Sequence, residues 1–322
     1  MLRRKLGARG PEVSVMGFGA WAIGGKNWGP TDDEVSRRAL HAALDAGVNF
    51  IDTADVYGFG HSEDLIASVL RERGGRDDLV IATKAGNDFY NARAADDAGY
   101  GPMRPNYAKD YLIFAVEQSL RRLGVDCLDI LQLHSPATDV LERDEPWEAL
   151  ATLKCDGKIR HAGWSVQSFR ETEQAFVLDR HADLLDVIQV RYNLLERMAE
   201  EVLLPKALEL GIGVIVRIPL LFGLLTGKFT RESRFGADDH RQMNLSPEKL
   251  EAYLARWERL RPLFDMFPDQ TMSQVSLRFC ITHPACHTAI PGAKTPQQVA
   301  DNCHAGELGP LPPETRAIIE TV

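Results

Sequence analysis

Tyr107 to His134 reads YAKDYLIFAVEQSLRRLGVDCLDILQLH, and its two halves follow two different periods. In the first half Leu112, Val116, Leu120 and Leu123 recur every three or four residues, so they share one face of a helix that Gly124 stops. The second half, CLDILQLH (127–134), is a short apolar run with little polar alternation, as expected of a parallel strand buried on both faces. The same kind of unit recurs along the chain. Further strand-length runs are VSVMGFG (13–19), VNFID (48–52), LVIATK (79–84), IRHAGWS (159–165), LDVIQV (185–190), GVIVRI (213–218) and HTAIPG (287–292). Eight such runs alternating with helical patterns predict an α/β fold of the (β/α)8 or TIM-barrel type.

The helical patterns carry their own punctuation. Thr31-Asp32-Asp33-Glu34 reads as a capping box with Thr31 as the cap, followed by an apolar stripe at Val35, Ala39, Ala42 and Ala43 and a stop at Gly47. Residues 145–156, 167–178, 198–210 and 296–303 are weaker helical patterns. LRRKLG and PEVSV predict a short N-terminal β-hairpin ahead of strand one. Residues 85–106 and 219–246 are too long for simple connections after strands three and seven. They are expected on the C-terminal face, where barrel enzymes build their sites. With no linker or shift in composition, the chain is expected to be one barrel domain over 1–322.

Composition narrows the function. The chain is 44% hydrophobic and 26% charged, which excludes a disordered or collagen-like polymer. Lys plus Arg number 37 against 46 Asp plus Glu, for a net charge of -9, so no nucleic-acid partner is expected. Five cysteines (Cys127, Cys155, Cys280, Cys286 and Cys303) are few and odd in number, which suits a reducing, cytoplasmic location. Residues 1–22 imitate a secretory signal, but Pro11 and Glu12 split the basic residues from the apolar run, and Gly17 and Gly19 interrupt it. No apolar stretch approaches the ~20 residues of a membrane span. Membrane partners are therefore not expected, and the sequence leaves the oligomeric state open.

In a barrel, polar residues at the C-terminal ends of strands converge on one mouth. Asp52 ends FID, Tyr57 follows in the next loop, Lys84 ends IATK and His134 ends LQLH. Together they suit proton donation to an oxygen. A tyrosine has an ordinary pKa near ~10, and a neighbouring ammonium such as Lys84 favours its phenolate and lowers that value. Asp52 can fix Lys84, and His134 can orient a carbonyl oxygen.

These residues carry a resemblance. GFGAW (17–21), FIDTADVYGFGHSED (50–64), TK (83–84), LH (133–134), GWS (163–165), QVRYNLLER (189–197), GLLTGKF (223–229) and IPGAKTPQQVADN (290–302) occur in an order and spacing that resemble the aldo-keto reductases, from the first strand to the last helix. The style of QVRYNLLER and GLLTGKF resembles the bacterial and potassium-channel β-subunit branches. The resemblance implies a barrel that binds NADP(H), or NAD(H), at its mouth and reduces a small carbonyl substrate. It implies Tyr57, Asp52, Lys84 and His134 as the catalytic set, with Tyr57 the general acid. It also implies cofactor contacts from Trp21, Asp52, Ser165, Gln189, Tyr192, Arg217, Pro219, Leu220, Lys228, Gly292, Lys294, Thr295, Gln298 and Asn302. Ser165 and Gln189 match positions that hold the nicotinamide carboxamide. Gly292, Lys294, Gln298 and Asn302 match the segment that holds the adenosine and its phosphate. Two positions depart from the family pattern: Val166 stands where Asn or a basic residue is frequent, and Arg217 where an aromatic commonly stacks on the nicotinamide. Slow-turnover regulatory or redox-sensing subunits and sugar or sugar-nucleotide ketoreductases belong to the same chemistry and are the alternatives.

Other motifs read differently. Gly17-Phe18-Gly19-Ala20-Trp21-Ala22 mimics a dinucleotide fingerprint, but the next helix starts only near Thr31, after Pro30. Cys280, His283, Cys286 and His287 have zinc-type residues without two separated knuckles, so no metal is expected. Asp32, Asp33 and Glu34 read as a helix N-terminus. Trp28 reads as rim packing, Trp21 as packing or pocket wall, and Tyr192 as a cofactor contact.

Overall fold

A computed structural model of the chain describes residues 1–25, 28, 31–76, 78–97 and 100–321; Pro30, used above to place the first helix, lies outside them. Eight strands lie side by side in sequence order. They are β1 (Phe18–Gly19), β2 (Phe50–Asp52), β3 (Val80–Ala85), β4 (Leu128–His134), β5 (Ile159–Ser165), β6 (Val187–Arg191), β7 (Gly213–Arg217) and β8 (Thr288–Ala289). Each pairs with its neighbour in parallel. The ends of the sheet meet through parallel bridges Met16–Ala289 and Gly19–Gly292, with Gly17 N–H donating to Ala289 at 2.8 Å and Ala289 N–H to Val15 at 2.9 Å. The predicted (β/α)8 barrel is the observed fold, and each predicted strand overlaps one observed strand.

The predicted hairpin forms from Arg3–Lys5 and Glu12–Ser14, paired antiparallel. It is the barrel's floor. Leu6 and Val13 pack with Phe50, Val80, Ala82, Ile130, Val187, Ile215 and Ile290 in one buried cluster inside the sheet. Burying a side chain of this size contributes roughly 1.5–3 kcal/mol. Glycine makes room for this plug, because a Cβ on Gly213 would lie 2.7 Å from the Leu6 Cγ.

The helices agree with the sequence reading in place more than in detail. Lys109–Leu123 ends on left-handed Gly124, Glu145–Cys155 forms as expected, and the helix expected over 296–303 runs on to Leu308. The first helix is Asp33–Asp45, and its cap is Asp32, whose carboxylate accepts from Val35 N–H at 3.0 Å; Thr31 is not the cap. Residues 167–178 do not form one helix: a short 3-10 turn over Glu173–Ala175 precedes Phe176–His181. Among the described residues no helix is long and apolar enough to cross a membrane.

Candidate active site

Strand parity builds the site. The apolar floor takes Phe50, Ala82, Ile130, Val187 and Ile215 inward. Side chains two residues further along each strand point the same way, one layer nearer the mouth. Those positions are Asp52, Lys84, Gln132, Gln189 and Arg217. Register ties the layer together, with Lys84 opposite Gln132, His134 opposite Ser165, Ser165 opposite Gln189 and Arg191 opposite Arg217.

Lys84 lies at the centre, 1% exposed. Its ammonium donates to Asp52 Oδ2 at 2.6 Å, to the Thr53 carbonyl at 2.7 Å and to the Tyr57 hydroxyl at 3.5 Å. Burial alone would depress its pKa, but Asp52 and Tyr57 outweigh burial and leave it raised, so Lys84 is a cation. The other carboxylate oxygen of Asp52 accepts from Gln189 at 2.7 Å and from Gln132 at 3.2 Å. Gln132 was not singled out from the sequence. Its signal is its place two residues before His134 on the same inward parity.

Burial raises the Tyr57 pKa; Lys84 opposes this without cancelling it. The net direction in the protein alone is therefore up, against the lowering expected from the sequence, because the phenol is desolvated as well as paired. The His134 ring stands at 81° to the Tyr57 ring, with centroids 5.8 Å apart. Burial, then Lys84 and Arg217, push the imidazole pKa well down, so it is neutral. Its Nδ1 is buried and finds no partner among the described residues. A neutral imidazole, a phenol and an ammonium on one wall can bind and protonate a carbonyl oxygen.

Above this set opens a cavity of about 750 Å³. Both long loops contribute to its walls, residues 85–106 through Asn87, Tyr100 and Met103, and residues 219–246 through Pro219, Leu220, Phe222, Lys228, Arg241 and Asn244. Trp21 and Trp28 line it too, so Trp28 does more than pack the rim. His240 of the second loop stacks on Trp21 at 4.6 Å and meets Trp28 edge-on at 4.3 Å. Strain collects at this rim. Phe59, Ser135, Phe169, Ile218, Leu221 and Phe222 all have positive φ, which is costly for residues with side chains and for β-branched Ile218 above all.

The cavity reaches from Tyr57 and His134 past Ser165, Gln189, Arg217, Pro219, Leu220 and Lys228 to Gly292, Lys294, Gln298 and Asn302. Thr295 does not line it; its hydroxyl caps the Pro296–Leu308 helix by accepting from Gln298 N–H. Tyr192 is corrected. It is 1% exposed, its hydroxyl donates to Glu200 and its ring stacks on Phe279 at 5.0 Å. Parity explains this: Gln189 and Arg191 point inward on β6, so Tyr192 turns outward. Arg191, which lines the cavity and is ion-paired with Glu196, is the residue that parity selects.

The zinc-type cluster packs as core. Cys280 and Cys286 are buried, and His287 Nδ1 accepts from Val214 N–H at 3.1 Å. Among the described residues no group of three or more His, Cys, Asp or Glu side chains is placed to hold a metal.

A dinucleotide fits the donor set. Ser165 offers a hydroxyl and Gln189 an amide at one end. Lys228, Arg241 and Lys294 offer three cations at the other, beside the N-terminus of the Pro296–Leu308 helix.

Comparison with known proteins agrees. The Aldo/keto reductase family matches residues 15–322. Aldo-keto reductase YhdN of Bacillus subtilis is 35% identical over 292 residues, covering 90% of this chain and 84% of that protein. NADH-specific methylglyoxal reductase of Escherichia coli is 30% identical, covering 95% of this chain and 93% of that one. The structure of glycerol dehydrogenase AKR11B4 from Gluconobacter oxydans superposes with a TM-score of 0.81 at 32% identity, covering 99% of this chain and 94% of that one. With a barrel whose mouth gathers Asp52, Tyr57, Lys84 and His134, and a family match over nearly its whole length, this chain belongs to the aldo/keto reductase family of oxidoreductases.

Proposed function

We propose that this protein reduces an aldehyde or ketone to an alcohol with NADP(H) in preference to NAD(H), and that Tyr57 is the general acid. The observation that carries this reading is the contact set of Lys84, at 2.6 Å from Asp52 and 3.5 Å from Tyr57. When bound, the reduced nicotinamide supplies a hydride to the carbonyl carbon. The chain supplies the rest. His134, neutral, donates a hydrogen bond to the carbonyl oxygen and holds it beside Tyr57. Tyr57 gives its proton to that oxygen as negative charge develops there. Lys84 stabilises the resulting phenolate, and Asp52 keeps Lys84 charged and in place. Ser165 and Gln189 hold the carboxamide, which fixes the reacting face.

Cofactor preference turns on Lys294. Its ammonium donates to the Trp28 carbonyl at 2.6 Å while lining the cavity, so it is anchored where a ribose phosphate would meet it. Asp301, the nearby acid that would favour free ribose hydroxyls, is occupied: it accepts from Gln274 Nε2 at 2.7 Å and from the Thr271 hydroxyl at 3.0 Å. The relatives named for methylglyoxal and glycerol favour a small oxygenated carbonyl substrate. All five cysteines are free thiols, in keeping with a cytoplasmic enzyme.

Tyr57→Phe tests the reading. It removes one proton donor and leaves the ring in place, so kcat for aldehyde reduction falls ~10²–10⁴-fold, while the Kd for NADPH, read by fluorescence titration, stays within about twofold. A variant that turns over near the wild-type rate removes Tyr57 from the mechanism.

A further inference from the structure

Arg217 is a half-buried cation on the cavity wall, and among the described residues no carboxylate forms an ion pair with it, though Glu171 and Glu196 act on its charge from further off. Its Nη2 donates to the Val166 carbonyl at 2.8 Å and the Ser168 hydroxyl at 3.0 Å. Its Nε is buried and finds no partner among the described residues. The neighbouring Arg191 is neutralised by Glu196; Arg217 has no carboxylate within ion-pair distance among the described residues. Burial lowers its pKa, to about 10, and it still carries its charge at neutral pH.

The position of that charge is specific. Gln189 pairs with Ser165 and with Ile215, and Arg217 follows Ile215 by two residues on the same inward face. In strand register Arg217 therefore pairs with Arg191, two residues nearer the mouth than the paired Ser165, Gln189 and Ile215. It also acts on the reacting end, where it adds to the burial that lowers the His134 pKa. Apart from Arg191, the remaining cavity cations, Lys228, Arg241 and Lys294, form a separate group: after burial, Arg241 is the cation that lowers the pKa of both Lys228 and Lys294. Arg217 is thus set apart from the cations suited to phosphates.

We propose that Arg217 is a potential-setting residue: a fixed positive charge beside the nicotinamide that favours its reduced, uncharged ring over its oxidised, cationic one. This rests on the nicotinamide reading of the cavity. The chemistry is electrostatic. The oxidised ring bears a positive charge that the reduced ring lacks, and a cation in a low-dielectric wall repels only the former. An aromatic residue at this position would not discriminate in this way. The consequence is an enzyme that holds its reductant and releases its spent cofactor, which biases it toward carbonyl reduction.

The test is binding, without turnover. Kd values for NADPH and NADP⁺ are measured on the whole protein by calorimetry, for wild type, Arg217→Gln and Arg217→Lys, with melting curves for each. Wild type is expected to bind the reduced form at least about tenfold more tightly than the oxidised form, equivalent to roughly 30 mV for a two-electron couple. Arg217→Gln should bring that ratio toward one, and Arg217→Lys should keep most of it. A wild-type ratio near one overturns the proposal even if neither variant folds. Equal loss of both forms in Arg217→Gln also overturns it, and makes Arg217 a phosphate or packing contact. Binding of neither form by wild type would instead overturn the nicotinamide reading itself.

Discussion

Replacing Lys84 by Met keeps most of the side-chain volume and removes one charge from the middle of the site. Of the three groups the ammonium touches, Asp52 and Tyr57 each answer its loss in a different way. Loss of the Asp52 partner breaks an ion pair whose side chains are 1% and 3% exposed. Breaking such a pair typically costs 3–5 kcal/mol. Here the cost falls near ~3 kcal/mol, because Asp52 retains the amides of Gln132 and Gln189. At ~2–4 °C per kcal/mol, the melting temperature drops by roughly 6–12 °C, and the fold survives. Loss of the Tyr57 partner is kinetic. Burial already pushes the phenol pKa up, and Lys84 is the first group that holds it down. Without Lys84 the pKa rises further. Reduction needs the protonated phenol, so the alkaline limb of the pH–rate profile moves to higher pH. At the same time the plateau falls, because a weaker acid transfers its proton less readily; the fall is ~10²-fold or more. Asp52→Asn should lower the plateau by less and move the alkaline limb less than Lys84→Met does, because Asp52 itself raises the Tyr57 pKa while it holds Lys84 in place. The assay is kcat/KM for aldehyde reduction from neutral to strongly alkaline pH, on protein shown folded by its melt. An alkaline limb at the wild-type pH in Lys84→Met would refute the coupling.

Two other perturbations separate the parts. Lys294→Ala should raise the Kd for NADPH by roughly tenfold or more, the worth of a charge-assisted hydrogen bond, and leave NADH nearly unchanged by fluorescence titration; equal losses would make Lys294 a loop support through its Trp28 contact. Leu6→Ala should empty part of the barrel floor, cost about 2–5 kcal/mol and lower the melting temperature while kcat holds, since Leu6 does not line the cavity; an unchanged melt would mean that the hairpin is no plug.

The strands were legible because a parallel barrel buries both strand faces, so runs such as LDVIQV and GVIVRI stand out from the amphipathic helices between them. The cluster proposed as catalytic was legible for a related reason: Asp52, Lys84 and His134 are polar groups directly ending apolar runs. What escaped lay in finer geometry. Asp32 takes the cap because the helix begins at Asp33, and Thr31 and Asp32 are equally plausible caps by residue type. Gln132 reads as a flaw in LQLH until the sheet register puts it opposite Lys84. Tyr192 was attractive as an aromatic at a strand end, but two-residue parity from Gln189 reaches Arg191. The rise of the Tyr57 pKa was also out of reach, since it depends on how completely the phenol is desolvated, and sequence names the neighbours without the burial.

The central claim is that this chain passes a hydride to a carbonyl carbon while Tyr57 protonates the oxygen. Its most direct measurement uses NADPH deuterated at the transferring C4 position, a small oxygenated aldehyde, and mass spectrometry of the alcohol formed. The account predicts one deuterium on the carbinol carbon with wild type and almost none with Tyr57→Phe over the same time. Alcohol formed without the label, or labelled alcohol formed equally fast by Tyr57→Phe, would contradict it.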